Sequence, residues 1–143
     1  MPDTHQILKG DSFKDHRGML AFCNDFSLEP IVRFYEITPK DTNIIRAWQA
    51  HKKESKWFYC TQGEFEVKLV KVDSFEKPSE DLTVFTHELK ADEPEILFIP
   101  GGYANGFKAL KNNSKLMVFS NFDVTASKND DFRFELNTWK TNW

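Results

Sequence analysis

The feature that most constrains the fold is a strand pattern in the middle of the chain. Residues 64–69, Glu-Phe-Glu-Val-Lys-Leu, alternate polar and apolar side chains. A period of two is typical of a strand with one buried and one solvated face. The short apolar run Trp57–Cys60 precedes it, and Thr61–Gly63 lies between the two. This arrangement predicts two strands joined by a hairpin turn.

Other short apolar runs, each bounded by turn residues, occur along the rest of the chain. They are residues 31–37, ended by Pro39, residues 96–99, stopped by Pro100-Gly101-Gly102, and residues 116–119, preceded by Lys111–Ser114. Aromatic residues make up 15% of the chain, and such residues suit pleated, half-buried surfaces. The runs predict an all-β sandwich or barrel, and periodicity alone does not separate a jelly roll from other β-sandwiches.

Little helix is expected. We predict one short helix around Ser127–Asp131, ahead of an aromatic and charged segment at Phe132–Trp139. Residues 73–82 contain Glu, Lys, Pro and Ser and are expected to form a surface excursion. The 143 residues show no linker or internal repeat, so we predict one domain spanning residues 1–143.

Charge and composition exclude several classes of function. The formal net charge is −3, with both signs mixed along the chain and no basic tract. This pattern argues against a nucleic-acid partner and against an anionic membrane surface. The polar start of the chain lacks a signal peptide pattern, and no apolar run reaches membrane-spanning length. Cys23 and Cys60 are far apart and are expected to be small buried residues. We therefore expect a cytoplasmic protein.

Two segments resemble the motifs of the cupin superfamily, which are His-x-His followed by a Glu, and Pro-x-Gly-x-x-His. In this chain Gln49-x-His51 stands for the histidine pair, and Lys56 falls near the Glu position. Pro100-x-Gly102-x-x-Asn105 stands for the second motif. The resemblance implies a cupin-type jelly roll, also called a double-stranded β-helix.

The same substitutions bear on metal binding. A cupin metal site needs about three or four converging His and carboxylate ligands. Only His51 remains at these positions, and Lys56 would bring an ammonium group to the place of the cation. We therefore expect no metal and no other cofactor. The other histidines, His5, His16 and His87, lie outside any ligand spacing and are expected to be exposed or singly hydrogen-bonded.

A closer resemblance, from about Phe13 to Phe122, is to the dTDP-4-dehydrorhamnose 3,5-epimerase family and to the dTDP-sugar 3,4-ketoisomerases. Epimerase-like motifs are Phe13-x-Asp15-x-Arg17-Gly18, Arg46-x-x-Gln49 in place of Arg-Gly-x-His, Lys56, and Ile99-Pro100-x-Gly102-Tyr103-Ala104-x-Gly106-Phe107. Ketoisomerase-like motifs are Ala50-His51-Lys52-Lys53, similar to a His-Ala-His-Lys run, and Arg33-Phe34-Tyr35, similar to an Arg-x-Tyr strand.

The resemblance implies an isomerase that acts on a dTDP-linked 4-keto-6-deoxy sugar in cell-surface polysaccharide synthesis, such as lipopolysaccharide O-antigen. Such chemistry needs a base for the proton beside the ketone, an acid to return it, and a donor at the enolate oxygen. In the epimerases these are the His at the place of Gln49, a Tyr falling near Val118, and the lysine at the place of Lys56. A neutral amide cannot serve as the base. The alternatives are a cupin that binds a nucleotide sugar without turning it over, and an unrelated metal cupin.

The predicted catalytic residues are His51, Lys56, Arg46 and Gln49. Residues two apart on a strand point to the same face, so His51 accompanies Gln49 and can replace it as the base. Arg46 reaches the same face only if the strand bends or begins there, and Lys56 only if the chain bends at residues 54–55.

The resemblance also implies substrate-binding residues and a homodimer. Arg17 is expected to hold a nucleotide phosphate in its own or a partner subunit, and Tyr35 is the second candidate for the base. Trp48 either packs in the core or stacks on a base, and Tyr103 and Asn105 either line the pocket or support a turn. The full predicted binding set is Arg17, Arg33, Tyr35, Trp48, Tyr103 and Asn105.

Overall fold

The computed structural model describes all residues, 1–143, and its elements are almost entirely strands. The strands are β1 (Gln6–Lys9), β2 (Asp11–Asp15), β3 (Gly18–Phe22), β4 (Arg33–Ile37), β5 (Ile45–His51), β6 (Lys56–Gln62), β7 (Glu64–Lys71), β8 (Phe85–Lys90), β9 (Glu95–Ile99), β10 (Tyr103–Ala109), β11 (Lys115–Ser120) and β12 (Phe132–Arg133). One α-helix, α1 (Val124–Lys128), and a 3₁₀ turn at Leu136–Thr138 complete the chain. No helix is long and apolar enough to cross a membrane. The all-β prediction is confirmed.

Ten of the strands form two antiparallel five-stranded sheets. The first has the order β1-β9-β6-β11-β4 and the second has the order β12-β5-β10-β7-β8. The predicted strands at 57–60 and 64–69 exist as β6 and β7, but the predicted hairpin is wrong because they belong to different sheets. The chain crosses between the sheets at Gly63, whose φ of +74° favours glycine. Each strand is thereby free to pair on both sides within its own sheet.

The main core lies between the two sheets. Inward-facing residues alternate along β7, as its period-two pattern predicts. Phe65, Val67 and Leu69 of β7 are fully buried there. From the first sheet, Phe58, Leu97, Leu116 and Val118 complete the contact, and Phe107 of β10 packs edge-on against Phe58 and Phe65.

The outer face of the second sheet has its own apolar cover. Trp48, Val70, Ala104 and Trp139 form a second buried cluster. Phe75 and Leu82 pack on it, so the segment expected to be a surface excursion also covers the sheet. The helix begins at Val124, three residues before the predicted start, because Asp123 caps it by accepting a hydrogen bond from the Ala126 amide.

Strands β2 and β3 form a separate two-stranded hairpin. Its large apolar side chains are mostly exposed: Phe13 is 58%, Met19 55% and Leu20 62% accessible. Phe13 and Leu20 are cross-strand partners, so their side chains share one exposed face of the hairpin.

Candidate functional site

A cavity of about 470 Å³ opens between the two sheets, beside β4, β5, β6, β10 and β11. Its polar lining comes from six side chains, and its walls are otherwise apolar. The polar residues are Tyr35, Arg46, Gln49, Lys56, Asn105 and Arg133, and the apolar residues are Ile37, Ile45, Ala47, Trp48, Phe58, Phe107, Val118 and Phe134.

An irregularity in β5 brings Arg46 to this cavity. In the pairing of β5 with β10, Gln49 lies opposite Asn105 and Ala47 lies opposite Gly106, so Trp48 is an extra residue. Such a β-bulge resets the alternation of side chains. Arg46 and Gln49, three residues apart, therefore both line the cavity. A local bend of this kind is one of the two conditions that the sequence sets for Arg46.

Lys56 occupies the centre of the polar lining. It is the first residue of β6, after the turn at residues 52–55, and it is only 3% exposed. Its Nζ donates to Tyr35 Oη at 3.0 Å and to Gln49 Oε1 at 3.3 Å. An ammonium group has three N–H donors, so one remains for a ligand in the cavity.

The amide of Gln49 is held in one orientation by the C-terminal segment. Its Nε2 donates to Asp131 Oδ1 at 3.2 Å, which leaves Oε1 turned to Lys56. Asp131 in turn forms a salt bridge with Arg133, whose Nε donates to Oδ1 at 3.0 Å and whose Nη2 donates to Oδ2 at 3.2 Å. Partial burial alone would raise the pKa of Asp131, but the hydrogen bonds from Arg133 and Gln49 hold it below its usual value.

Charge in the lining has one sign. Arg46, Lys56 and Arg133 contribute three cations, of which Arg133 is paired with Asp131, and no carboxylate or imidazole side chain is part of the lining itself. No group of three or more His, Cys, Asp or Glu side chains is arranged so that it could hold a metal ion. The cavity is therefore suited to an anionic ligand, and its donor set does not fit a divalent metal.

His51 lies at the end of β5 but is not among the residues that line the cavity. Its side chain is 4% exposed, and its Nδ1 donates to the backbone oxygen of Asp130 at 2.6 Å. Its Nε2 is buried without a hydrogen-bond partner. Burial, followed by the nearby Lys56 ammonium, lowers the pKa of His51, while the Asp130 carbonyl and the Glu54 carboxylate oppose that change.

Three other predicted residues lie outside the cavity lining. Arg33 donates its Nε to the Phe122 carbonyl and its Nη2 to Glu54. Tyr103 is 3% exposed and its hydroxyl contacts His5 Nδ1 at 3.2 Å. Arg17 lies on the β2–β3 hairpin, where its guanidinium pairs with Asp15.

Six of the ten predicted residues therefore line the cavity together: Tyr35, Arg46, Trp48, Gln49, Lys56 and Asn105. Trp48 borders it while packing edge-on against Trp139 and donating its Nε1 to the Leu136 carbonyl, so it serves the second core as well. Sequence reasoning missed Asp131 and Arg133, which have no motif spacing of their own.

These features define a two-sheet jelly roll with a cationic cavity between its sheets. The sequence profile of the dTDP-4-dehydrorhamnose 3,5-epimerase family matches residues 3–143, and the chain belongs to that family. No match was found among curated protein sequences. Membership of this family supports an epimerase or isomerase activity on a dTDP-sugar.

Solved structures agree with this fold. A 3,4-ketoisomerase from Helicobacter canadensis is 21% identical with a TM-score of 0.71, over 91% of this chain and 90% of that chain. A mutant of the QdtA 3,4-ketoisomerase from Thermoanaerobacterium thermosaccharolyticum, in complex with TDP-4-keto-6-deoxyglucose, is 23% identical with a TM-score of 0.71, over 94% and 90%. The dTDP-4-dehydrorhamnose 3,5-epimerase from Bacillus anthracis, with TDP and PPi bound, is 19% identical with a TM-score of 0.76, over 93% and 79%. The cupin-type jelly-roll prediction is confirmed.

Proposed function

We propose that this protein is a metal-independent isomerase of a dTDP-linked 4-keto-6-deoxy sugar, which removes and returns a proton beside the ketone. The observation that carries the proposal is the Tyr35–Lys56–Gln49 cluster in a cationic cavity. The buried His51, whose Nε2 has no hydrogen-bond partner, lies two residues after Gln49 at the end of β5.

The cations of the cavity support a nucleotide sugar as the ligand. A diphosphate group is a strong acceptor for guanidinium groups, and Arg46 and Arg133 both line the cavity. The cavity volume of about 470 Å³ lies in the range of small-molecule sites. The family relatives with TDP or TDP-4-keto-6-deoxyglucose bound make such a ligand the first to test.

The polar cluster supplies the roles that the reaction needs. The free N–H of Lys56 can donate to the ketone oxygen and stabilise the enolate that forms when the α-proton leaves. Tyr35 is the acid that returns a proton, because it lies directly opposite Val118 in the β4–β11 pairing. The phenol thus reaches the cavity from the strand next to the one on which the epimerases carry their tyrosine.

His51 is the base in this proposal. Its Nδ1 donates to a carbonyl oxygen, so the lone pair is on Nε2, which no protein group occupies. Because the side chain is 4% exposed, ligand binding has to uncover Nε2. If it does not, Tyr35, which already lines the cavity, is the remaining candidate for the base.

The alternative is a cupin that binds a nucleotide sugar without turning it over. Two observations favour it: a neutral amide, Gln49, stands at the position of the family base, and His51 does not line the cavity. The cationic lining would serve binding equally well in both cases.

We further propose a cytoplasmic homodimer that serves cell-surface polysaccharide synthesis. The exposed apolar side chains of the β2–β3 hairpin support the dimer, because pairing of hairpins between subunits would bury them. Arg17 on the same hairpin would then be available to a nucleotide bound in the partner subunit.

The direct test is to incubate the purified protein with dTDP-4-keto-6-deoxyglucose in deuterated water, with and without a chelator, and to follow the sugar by NMR and mass spectrometry. We expect a chelator-insensitive mass increase, with product signals that distinguish 3,5-epimerisation from 3,4-ketoisomerisation. Micromolar binding by calorimetry without any exchange would instead establish the binding-module alternative. Loss of turnover on chelation, restored by a metal, would contradict the metal-independent mechanism.

A further inference from the structure

A buried charged network surrounds the turn between β5 and β6, and the proposed mechanism does not use it. Its centre is Glu54, whose side chain is completely inaccessible. Every contact to its carboxylate comes from a donor: Ser120 Oγ and Ser127 Oγ each at 2.6 Å and Arg33 Nη2 at 3.2 Å. A fully buried carboxylate is costly unless it is paired in this way, so its placement calls for an explanation.

The carboxylate also faces the imidazole of His51. Glu54 Oε1 lies 3.5 Å from His51 Nδ1, on the side away from the unpartnered Nε2. The Nδ1 proton is already donated to the Asp130 carbonyl at 2.6 Å. Asp130 therefore fixes which nitrogen carries the proton, while Glu54 supplies a negative charge next to the ring.

The turn that holds Glu54 in place is fixed by the same segment. The carboxylate of Asp130 accepts the backbone N–H groups of Lys52, Lys53 and Glu54 at 2.8 to 2.9 Å. The β5–β6 turn is thereby tied to the chain ahead of β12. The Asp130 carboxylate thus fixes the backbone of the turn, and with it the separation of Glu54 from His51.

From this geometry we propose that Glu54 is a positioning residue for the His51 base, and that its charge compensates the imidazolium formed when His51 takes a proton from the sugar. The inference rests on the proposed function for its catalytic consequence.

The need for such a partner follows from the charges around His51. Burial, and after it the Lys56 ammonium of β6, lowers the pKa of His51 and thus disfavours the imidazolium. Arg33 of β4 is bound to Glu54. Asp130 and Asp131 lie on the C-terminal side, and Tyr103 is the cross-strand neighbour on β10. Among the carboxylates, only Glu54 lies within 4 Å of a His51 ring nitrogen.

The test compares Glu54→Gln, which keeps the shape and removes the charge, with Glu88→Gln. Glu88 is a half-exposed residue of β8 paired with Lys90, 3.6 Å away. Because Asp130 still fixes the tautomer, we expect Glu54→Gln to lower the exchange rate by about 10- to 100-fold, less than loss of the tautomer would. An NMR titration of the His51 ring should show a lower pKa in Glu54→Gln and no change in Glu88→Gln.

Glu54→Asp gives a graded variant. It keeps the charge but draws it back from the ring, so the pKa of His51 and the exchange rate should fall between those of the wild type and Glu54→Gln. If Glu54→Gln does not fold, this variant carries the test.

The proposal is overturned if neutralising Glu54 leaves the His51 titration and the pH profile of exchange unchanged. It is also overturned if Glu54→Asp and Glu54→Gln lose activity equally with an unshifted titration, as a purely structural role would produce. If the wild type shows no exchange with any 4-keto sugar nucleotide, the proposed function fails, whereas the titration still reports on the Glu54–His51 coupling.

Discussion

Replacing Lys56 by methionine is the perturbation for which the structure gives the clearest expectation. The substitution removes an ammonium group and retains an unbranched chain of similar length. Lys56 is 3% exposed and donates to Tyr35 and Gln49. Both partners line the cavity, so water there can replace the lost donor.

The expected effect on activity is much larger than the effect on stability. Two of the three N–H donors are occupied by protein groups, and the third is assigned to the enolate oxygen. Losing one donor at a developing oxyanion lowers kcat by about 10²- to 10³-fold, or about 2.7–4 kcal/mol. The hydrated partners and the removal of a buried charge should keep the free energy of unfolding within about 1 kcal/mol of the wild-type value.

The assay pairs deuterium exchange into a 4-keto sugar nucleotide with chemical denaturation of the same preparations. Lys71→Met is the matched control, because Lys71 is an exposed lysine at the end of β7. It should leave both measurements unchanged. An exchange rate within about threefold of the wild type in Lys56→Met would refute the role of Lys56. A proportionate loss of stability and activity would show that it is only structural.

Three further predictions follow from the surface, the cavity and the histidines. Light scattering at micromolar concentration should give twice the 16.8 kDa chain mass; the monomer mass would contradict the hairpin interface. Elemental analysis should find no stoichiometric transition metal. About one equivalent of Zn, Fe or Mn per chain would refute the conclusion that the donor set of the cavity does not fit a metal. Burial is the main reason that the pKa values of His5, His51 and His87 are below 6.5. The unfolded chain then binds more protons than the folded chain as the pH falls through 6.5, so the free energy of unfolding should decrease from pH 7 to pH 5. A stability that stays constant or rises over that interval would be inconsistent with these shifts.

The strands that the sequence predicted are those with continuous or alternating apolar residues, such as β7 and β9. Strands β2 and β3 were not predicted, because most of their side chains are exposed and neither strand shows a buried face. The turn signal between β6 and β7 predicts a hairpin, but the two strands do not pair, because a turn signal does not specify whether its flanking strands belong to the same sheet. Whether two consecutive strands pair depends on which arrangement covers the apolar faces of both strands, and the whole fold decides this.

The site was partly predictable for a similar reason. Gln49, Lys56 and Asn105 lie at motif positions, and the structure brings all three to one cavity. The bulge that turns Arg46 inward depends on the pairing with β10, which the sequence of β5 alone does not reveal. Arg133 and Asp131 reach the site from the far end of the chain, and Glu54 looks like an ordinary charged turn residue until its burial is known.

The role of His51 as the base is tested most directly by the rate of deuterium incorporation beside the ketone of dTDP-4-keto-6-deoxyglucose, compared between the wild type and His51→Asn. Asparagine keeps a polar side chain of modest size but cannot accept a proton near neutral pH. We predict that exchange by the wild type disappears in His51→Asn, while calorimetric binding of the nucleotide sugar remains nearly unchanged. Exchange by His51→Asn at the wild-type rate would show that His51 is not the base and would shift the assignment to Tyr35.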